Sequence, residues 1–148
     1  MAIIKKYKWL LIIILAVLVS AFLFFGRLCR SDIKIITDFL ASYEKFDRAM
    51  TDFSMSLTDD SEEKANDFII ELETRSNFRI SSLIKNDKKI MDQALKIAEF
   101  SRKEFNSLIS YKNAIQSKDS NLDKLFQNYN DLSSQRKAAY VSFKKLGE

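Results

Sequence analysis

The chain has 148 residues, a formal net charge of +4, no proline, no histidine, two glycines and one cysteine. Without histidine, Ser-His-Asp and Cys-His sets and the Glu-x-x-His ligands of di-iron bundles are excluded within one chain, and zinc loses its usual donors. Two isolated glycines, Gly26 and Gly147, cannot build a phosphate-cradling loop.

The N-terminal region carries the charge surplus. Lys5, Lys6, Lys8, Arg27 and Arg30 face no acid within residues 1–30, which leaves 19 basic against 20 acidic residues in the remainder. The basic isoelectric point therefore reflects this region, and no nucleic-acid partner is expected, since that would require a basic face on the folded part.

Trp9 to Phe25 is a run of seventeen residues with one polar member, Ser20. At 1.5 Å per residue it spans about 26 Å, against roughly 30 Å for a bilayer core. Its anchoring side chains are Trp9, Leu10, Leu11, Ile12, Ile13, Ile14 and Leu15 at one end and Phe22, Phe24 and Phe25 at the other. Tyr7 and Trp9 suit the interface, and Lys8 and Arg27 can snorkel outward. A transmembrane helix is the expectation. A cleaved signal ending at Val19-Ser20-Ala21 fits less well, because Phe22-Leu23-Phe24-Phe25 prolongs the apolar run beyond it. A lipoprotein signal at Cys29 fits least, because Arg27 stands two positions upstream. Cys29 is otherwise inert or available for an intermolecular disulfide.

Residues 1–30 thus read as a membrane anchor with basic flanks, and 31–148 as the working domain. The flanking charges favour a cytoplasmic N-terminus only slightly. The expected location is a bacterial inner membrane, crossed once, with the C-terminal domain on the outer, periplasmic side.

Ser31-Asp32 offers a helix N-cap. Beyond it Ile36, Phe39, Tyr43, Phe46, Met50, Phe53 and Leu57 recur at steps of three and four, one apolar stripe on a helix. Thr58 to Glu63 breaks the pattern, with capping-box spacing at Asp59/Glu62 and Asp60/Glu63. A second stripe follows at Ala65, Ile69, Leu72, Ser76, Ile80 and Leu83. Lys85 to Lys89 interrupts again. The third stripe is Met91, Ala94, Ala98, Ser101, Phe105, Leu108 and Ile115. Ser120 and Asp123 have capping-box form before the fourth, Leu122, Leu125, Tyr129, Leu132, Ala139, Phe143 and Leu146, with Arg136 as its charged intruder.

The expected fold is all-α, an N-terminal transmembrane helix followed by an antiparallel four-helix bundle. The alternative is a three-helix elongated coiled coil, in which 61–116 forms one helix of about 84 Å.

The acids Asp59, Asp60, Glu62 and Glu63 read as a solvated helix N-terminus with favourable dipole interactions, the other reading being a weak divalent-cation site without the form of an EF-hand loop. Ser76 and Ser101 suit close helix approach. Arg136 reads as an edge residue with its stem packed and its head in water, the other readings being a buried pair or a partner contact. No catalytic residue, cofactor or metal is expected.

These features describe a non-catalytic, membrane-anchored interaction or scaffold module of the bacterial cell envelope. Its partners would be the lipid bilayer and another envelope protein or a second copy of itself. In outline the body resembles the four-helix sensory domains of bacterial chemoreceptors, which implies a ligand-sensing alternative. Those domains return through a second span, which is not seen before Glu148. The layout is also similar to phage inner-membrane spanins, which implies a lysis or spacer role.

Overall fold

The computed structural model describes residues 2–82, 84 and 86–146, with the side chains of 2–13, 25 and 27–29 outside the description. The chain is all-α, with no strand among the described residues. Helix α1 runs Ala2–Ser56, α2 Asp59–Ser76, α3 Asp87–Ser117 and α4 Leu122–Leu146.

Helix α1 is one uninterrupted element of 55 residues, about 82 Å long at 1.5 Å per residue. The cap expected at Ser31-Asp32 is therefore absent. Extending an existing helix is far easier than nucleating a new one, and no proline stands nearby to stop it. Asp32 instead makes a tertiary contact, since its carboxylate is buried and accepts the backbone N–H of Ser81 at 3.1 Å.

The first stripe is largely as read. Phe39, Tyr43, Phe46, Met50 and Phe53 are buried, while Ile36 and Leu57 pack half-buried against the core. Each such aromatic contributes about 1.5–3 kcal/mol of burial. Phe39 meets Phe143 of α4 at 5.2 Å between ring centroids, and Phe53 meets Phe105 of α3 at 6.0 Å.

A two-residue turn, Leu57-Thr58, reverses the chain. Leu57 takes a φ of 52°, and Thr58, not Asp59 or Asp60, is the N-cap of α2. Its Oγ1 accepts the Ser61 N–H at 3.3 Å. The cap moves one residue upstream because the Ser61 hydroxyl also donates to the Thr58 carbonyl at 2.9 Å, locking that register.

Helix α2 buries Ala65, Ile69, Leu72 and Ser76 and then stops. The second stripe thus ends before Ile80, and Leu83 lies outside the described residues. The described residues of the connection that follows, 77–82, 84 and 86, are not helical, so no single helix covers 61–116. Ile80 is still buried, and Phe78 sets its ring edge-on to Phe39 at 5.8 Å. The connection closes the end of the core that a longer helix would leave open. It ends at Asn86, left-handed with φ 66°.

Helix α3 buries Ile90, Ala94, Ile97, Ala98, Ser101, Phe105 and Leu108, while Met91 is only half-buried. Ile115 departs from expectation at 40 % exposed. Lys112, seven residues after Phe105 and so on the same frame, is the buried position there, while Ile115 falls in the last turn of the helix. Ser76 and Ser101 are both buried and return their hydroxyls to carbonyls of their own helices, at 2.8 Å each.

Lys118, φ 56°, ends α3, and Asp119 rather than Ser120 organises the next turn by accepting the Asn121 N–H at 2.9 Å. In α4 only Arg136, Ala139 and Phe143 are buried. Leu122, Leu125, Tyr129 and Leu132 are half-buried. Partners on consecutive helices run in opposite order: Ser42–Glu71 then Ser56–Ser61, Asp59–Lys112 then Glu73–Arg102, and Glu104–Arg136 then Ser107–Asn128. Consecutive helices in this helical bundle are therefore antiparallel.

With glycine almost absent, all three reversals rest on L-residues at positive φ. At exposed Lys118, glycine relieves that conformation and a β-branched residue aggravates it. Urea unfolding in detergent should find Lys118→Gly more stable than Lys118→Val by about 1–2 kcal/mol. Equal stabilities would show that the left-handed residue carries no strain.

Candidate functional site

Two features stand apart from ordinary packing: a charged network inside the bundle and an apolar helix surface outside it. The network centres on Arg136, 2 % exposed, and Glu104, 1 % exposed. The Arg136 Nε donates to the Glu104 carboxylate. Its Nη1 donates to the Tyr43 hydroxyl at 2.8 Å and its Nη2 to Asp47 at 2.7 Å. The guanidinium also lies 5.2 Å from the Tyr43 ring centroid and 5.5 Å from that of Phe46. Three helices, α1, α3 and α4, are thereby joined at one cation.

This overturns the reading of Arg136 as an edge residue with its head in water. The guanidinium is committed within the chain. Burial alone works against its charge, but Glu104, Tyr43 and Asp47 hold its pKa above the usual arginine value. Burial pushes the Tyr43 hydroxyl upward, with Asp47 and Glu104 adding to the rise and Arg136 opposing it. Beside them the Tyr43 and Tyr140 rings stack at 3.8 Å. Among the described residues no buried side-chain polar atom lacks a partner. The core is closed around Glu104 and Arg136, so the network binds helices to one another.

Glu104, Asp47 and the Tyr43 hydroxyl were not singled out from sequence. Tyr43 reads as apolar on its stripe, and Glu104 falls between Ser101 and Phe105 with nothing to mark it. The one available signal was Arg136 itself, since a cation on a core stripe requires an acid opposite.

A second layer of ion pairs lies nearer the surface. Lys112 pairs with Asp59 and with Glu62, the latter at 2.7 Å, tying the end of α3 to the start of α2. Asp59 is fully solvated, and Lys112 holds its carboxyl below the usual range. Among the described residues no cluster of acids or thiols is arranged to hold a metal ion. Glu71 is a hub on α2, accepting from Ser42 at 3.0 Å, Lys45 at 3.3 Å and Arg75 at 3.0 Å. Burial alone would raise its carboxyl, but these three donors outweigh it and leave the pKa lowered.

The apolar surface is the N-terminal part of α1. Ile14, Leu15, Phe22 and Phe24 are exposed, as are Val17, Leu18, Val19 and Leu23 between them, and Phe22 reaches 79 %. Phe22, Leu23, Phe24, Gly26 and Arg30 line a groove of about 630 Å³. Trp9, Leu10, Leu11, Ile12, Ile13, Phe25 and Cys29 belong to the same helix, but their side chains lie outside the described residues. Among the described residues no helix is long and apolar enough to cross a membrane.

Removing one member of a buried ion pair strands the other. Arg136→Met or Glu104→Gln should each lose about 3–5 kcal/mol of unfolding free energy, whereas Arg136→Met with Glu104→Leu recovers much of it. Additive losses in a double-mutant cycle would show that the two residues do not act as a pair. Glu71 generates a pH prediction. Its folded pKa lies below the unfolded one, so its stabilisation is complete at neutral pH and is lost as pH falls through the carboxylate range. Urea midpoints measured from pH 7 downward should fall less steeply for Glu71→Gln than for the parent chain.

No family model matches the chain, and no match is found among curated proteins or solved structures.

Proposed function

We propose that this protein is a membrane-anchored, non-catalytic interaction or scaffold module of a bacterial cell envelope. In this reading α1 crosses the inner membrane once. Residues 31–148 form an antiparallel four-helix bundle on the outer side and present a helical face to another envelope protein or to a second copy.

The observation that carries the proposal is the continuity of α1. The same helix that supplies Phe39, Tyr43, Phe46 and Phe53 to the core extends beyond it with a row of exposed apolar side chains from Ile14 to Phe24. Such a contiguous apolar surface requires lipid or protein to cover it. The sequence run from Trp9 supplies the rest of the length a bilayer needs. The hairpin at Leu57-Thr58 favours a folded module over an extended spacer, because α1 and α2 pair along their length through Glu71, Lys45, Arg75 and Asp38.

Membrane extraction tests the anchor. The full chain should sediment with membranes, resist alkaline carbonate and dissolve only in detergent. A chain carrying Leu15→Arg and Leu18→Arg should shift to the carbonate-soluble fraction, since each arginine near the bilayer centre costs about 2.5–3.5 kcal/mol. Crosslinking in native membranes with mass spectrometry then tests the interaction role. Recovery of monomer alone, with no crosslinked neighbour, would remove it.

A further inference from the structure

The folded body carries nearly equal numbers of acidic and basic residues, but one end of it holds an excess of cations. The end of the bundle where the apolar part of α1 leaves it also holds the C-terminus of α2, the 77–86 connection, the N-terminus of α3 and the C-terminus of α4. The Asp32–Ser81 hydrogen bond and the contacts of Phe39 with Phe78 and Phe143 bring these segments together.

Six exposed cations cluster there: Arg30 and Lys34 on α1, Arg79 in the connection, Lys88 and Lys89 on α3, and Lys145 on α4. Among the described residues none of the six is within ion-pair distance of a carboxylate. The six outnumber the acids beside them, which are Asp32 and Asp87, each accepting a backbone N–H, and exposed Asp92 one turn along α3. The opposite end is mixed, with Asp59, Asp60, Glu62, Glu63, Asp119 and Asp123 lying among Lys64, Lys112, Lys118 and Lys124.

Helix dipoles explain part of the cation excess, since acids suit the starts of α2 and α4 and cations suit their ends. They do not explain Lys88 and Lys89, which sit at the start of α3 where the dipole favours acids. Nor do they explain Arg79, which is on no helix. A further cause is required, and the position supplies one. Exposed Ile33 lies on the same stretch of α1 as Arg30 and Lys34, a pairing of apolar and basic groups that suits a membrane interface.

We infer that the basic end of the bundle docks on anionic phospholipid headgroups around the point where α1 enters the bilayer. The body then rests against the membrane with the Leu57-Thr58 turn outward. Cations attached to a membrane-embedded helix are held within a Debye length, about 8–10 Å, of the headgroups, and clusters of four to eight such residues bind anionic lipid. The inference rests on the anchor reading above, and needs only phosphates beside the helix exit on whichever leaflet.

The full chain in nanodiscs tests it by hydrogen exchange of residues 77–91, in phosphatidylcholine alone and in phosphatidylcholine with about one third phosphatidylglycerol. Exchange in the anionic discs should be about fivefold slower or more, the attraction expected for even one cation near an anionic surface. High salt should abolish the difference, as should Arg79→Glu with Lys88→Glu and Lys89→Glu. The matching glutamine variant, milder for folding, should reduce it. Equal exchange in the two lipids, or a difference that survives the charge reversal, would overturn the inference while leaving the anchor intact. Failure of the chain to enter discs would overturn the anchor reading and this one with it.

Discussion

A charge inside an apolar core must be matched or the fold fails, and Arg136 imposes that condition on the whole bundle. Its stripe places it at the centre of α4, where burial would be prohibitive alone. Glu104 from α3, Asp47 and the Tyr43 hydroxyl from α1 satisfy it together. The surrounding phenylalanines supply more free energy, but apolar burial is non-directional and tolerates sliding and rotation. A guanidinium with fixed donor directions does not. The network therefore sets how far α4 slides and rotates against α1 and α3, which explains why two buried charges persist where a hydrophobic pair of equal volume would give similar or greater stability.

The same logic operates at lower stakes around the perimeter. Glu71 collects donors from α1 and from its own helix, and Lys112 links the start of α2 to the end of α3. These pairs are partly solvated and individually weak. Their positions matter more than their energies, since each lies at a helix junction where apolar cover thins. The first half of α4 is only half-buried at Leu122, Leu125 and Tyr129, and it leans on α3 through the Phe126–Tyr111 rings and the Asn128–Ser107 hydrogen bond.

Helix α1 gives the molecule its economy. One element supplies both the apolar extension and a wall of the core, without a linker between them. A rigid helix passes orientation as well as attachment to the body. The cation excess at one end of the bundle acquires meaning only in that frame, because it lies beside the exit of the apolar segment.

Much of the fold was legible as periodicity. The run from Phe39 to Phe53 needs only the spacing of its large residues to declare a buried helix face, and Thr58 to Glu63 needs only its polarity to declare a turn. What failed was local punctuation. Ser31-Asp32 looks like a cap, but a helix already formed continued through it. Ser76 to Leu83 looks like a continued stripe, but the chain unwinds so that Phe78 and Ile80 close the core from its end. Ile115 keeps the seven-residue frame of Leu108 but falls in the last turn of α3 and is left exposed. The first two departures arose where an established helix or a competing tertiary contact outweighed a weak local preference.

The amino-acid sequence by itself determined the class of structure, all-helical with three polar breaks, because proline and glycine are nearly missing and apolar residues keep a helical period. It also determined the apolar run and the absence of histidine chemistry, which depend on residue identity alone. Only the tertiary structure decided that Arg136 is buried, who its partners are, and that cations distant in the chain gather at one end of a nearly neutral body. Those facts depend on which residues distant in the chain become neighbours, and helical periodicity specifies a face without specifying what lies against it.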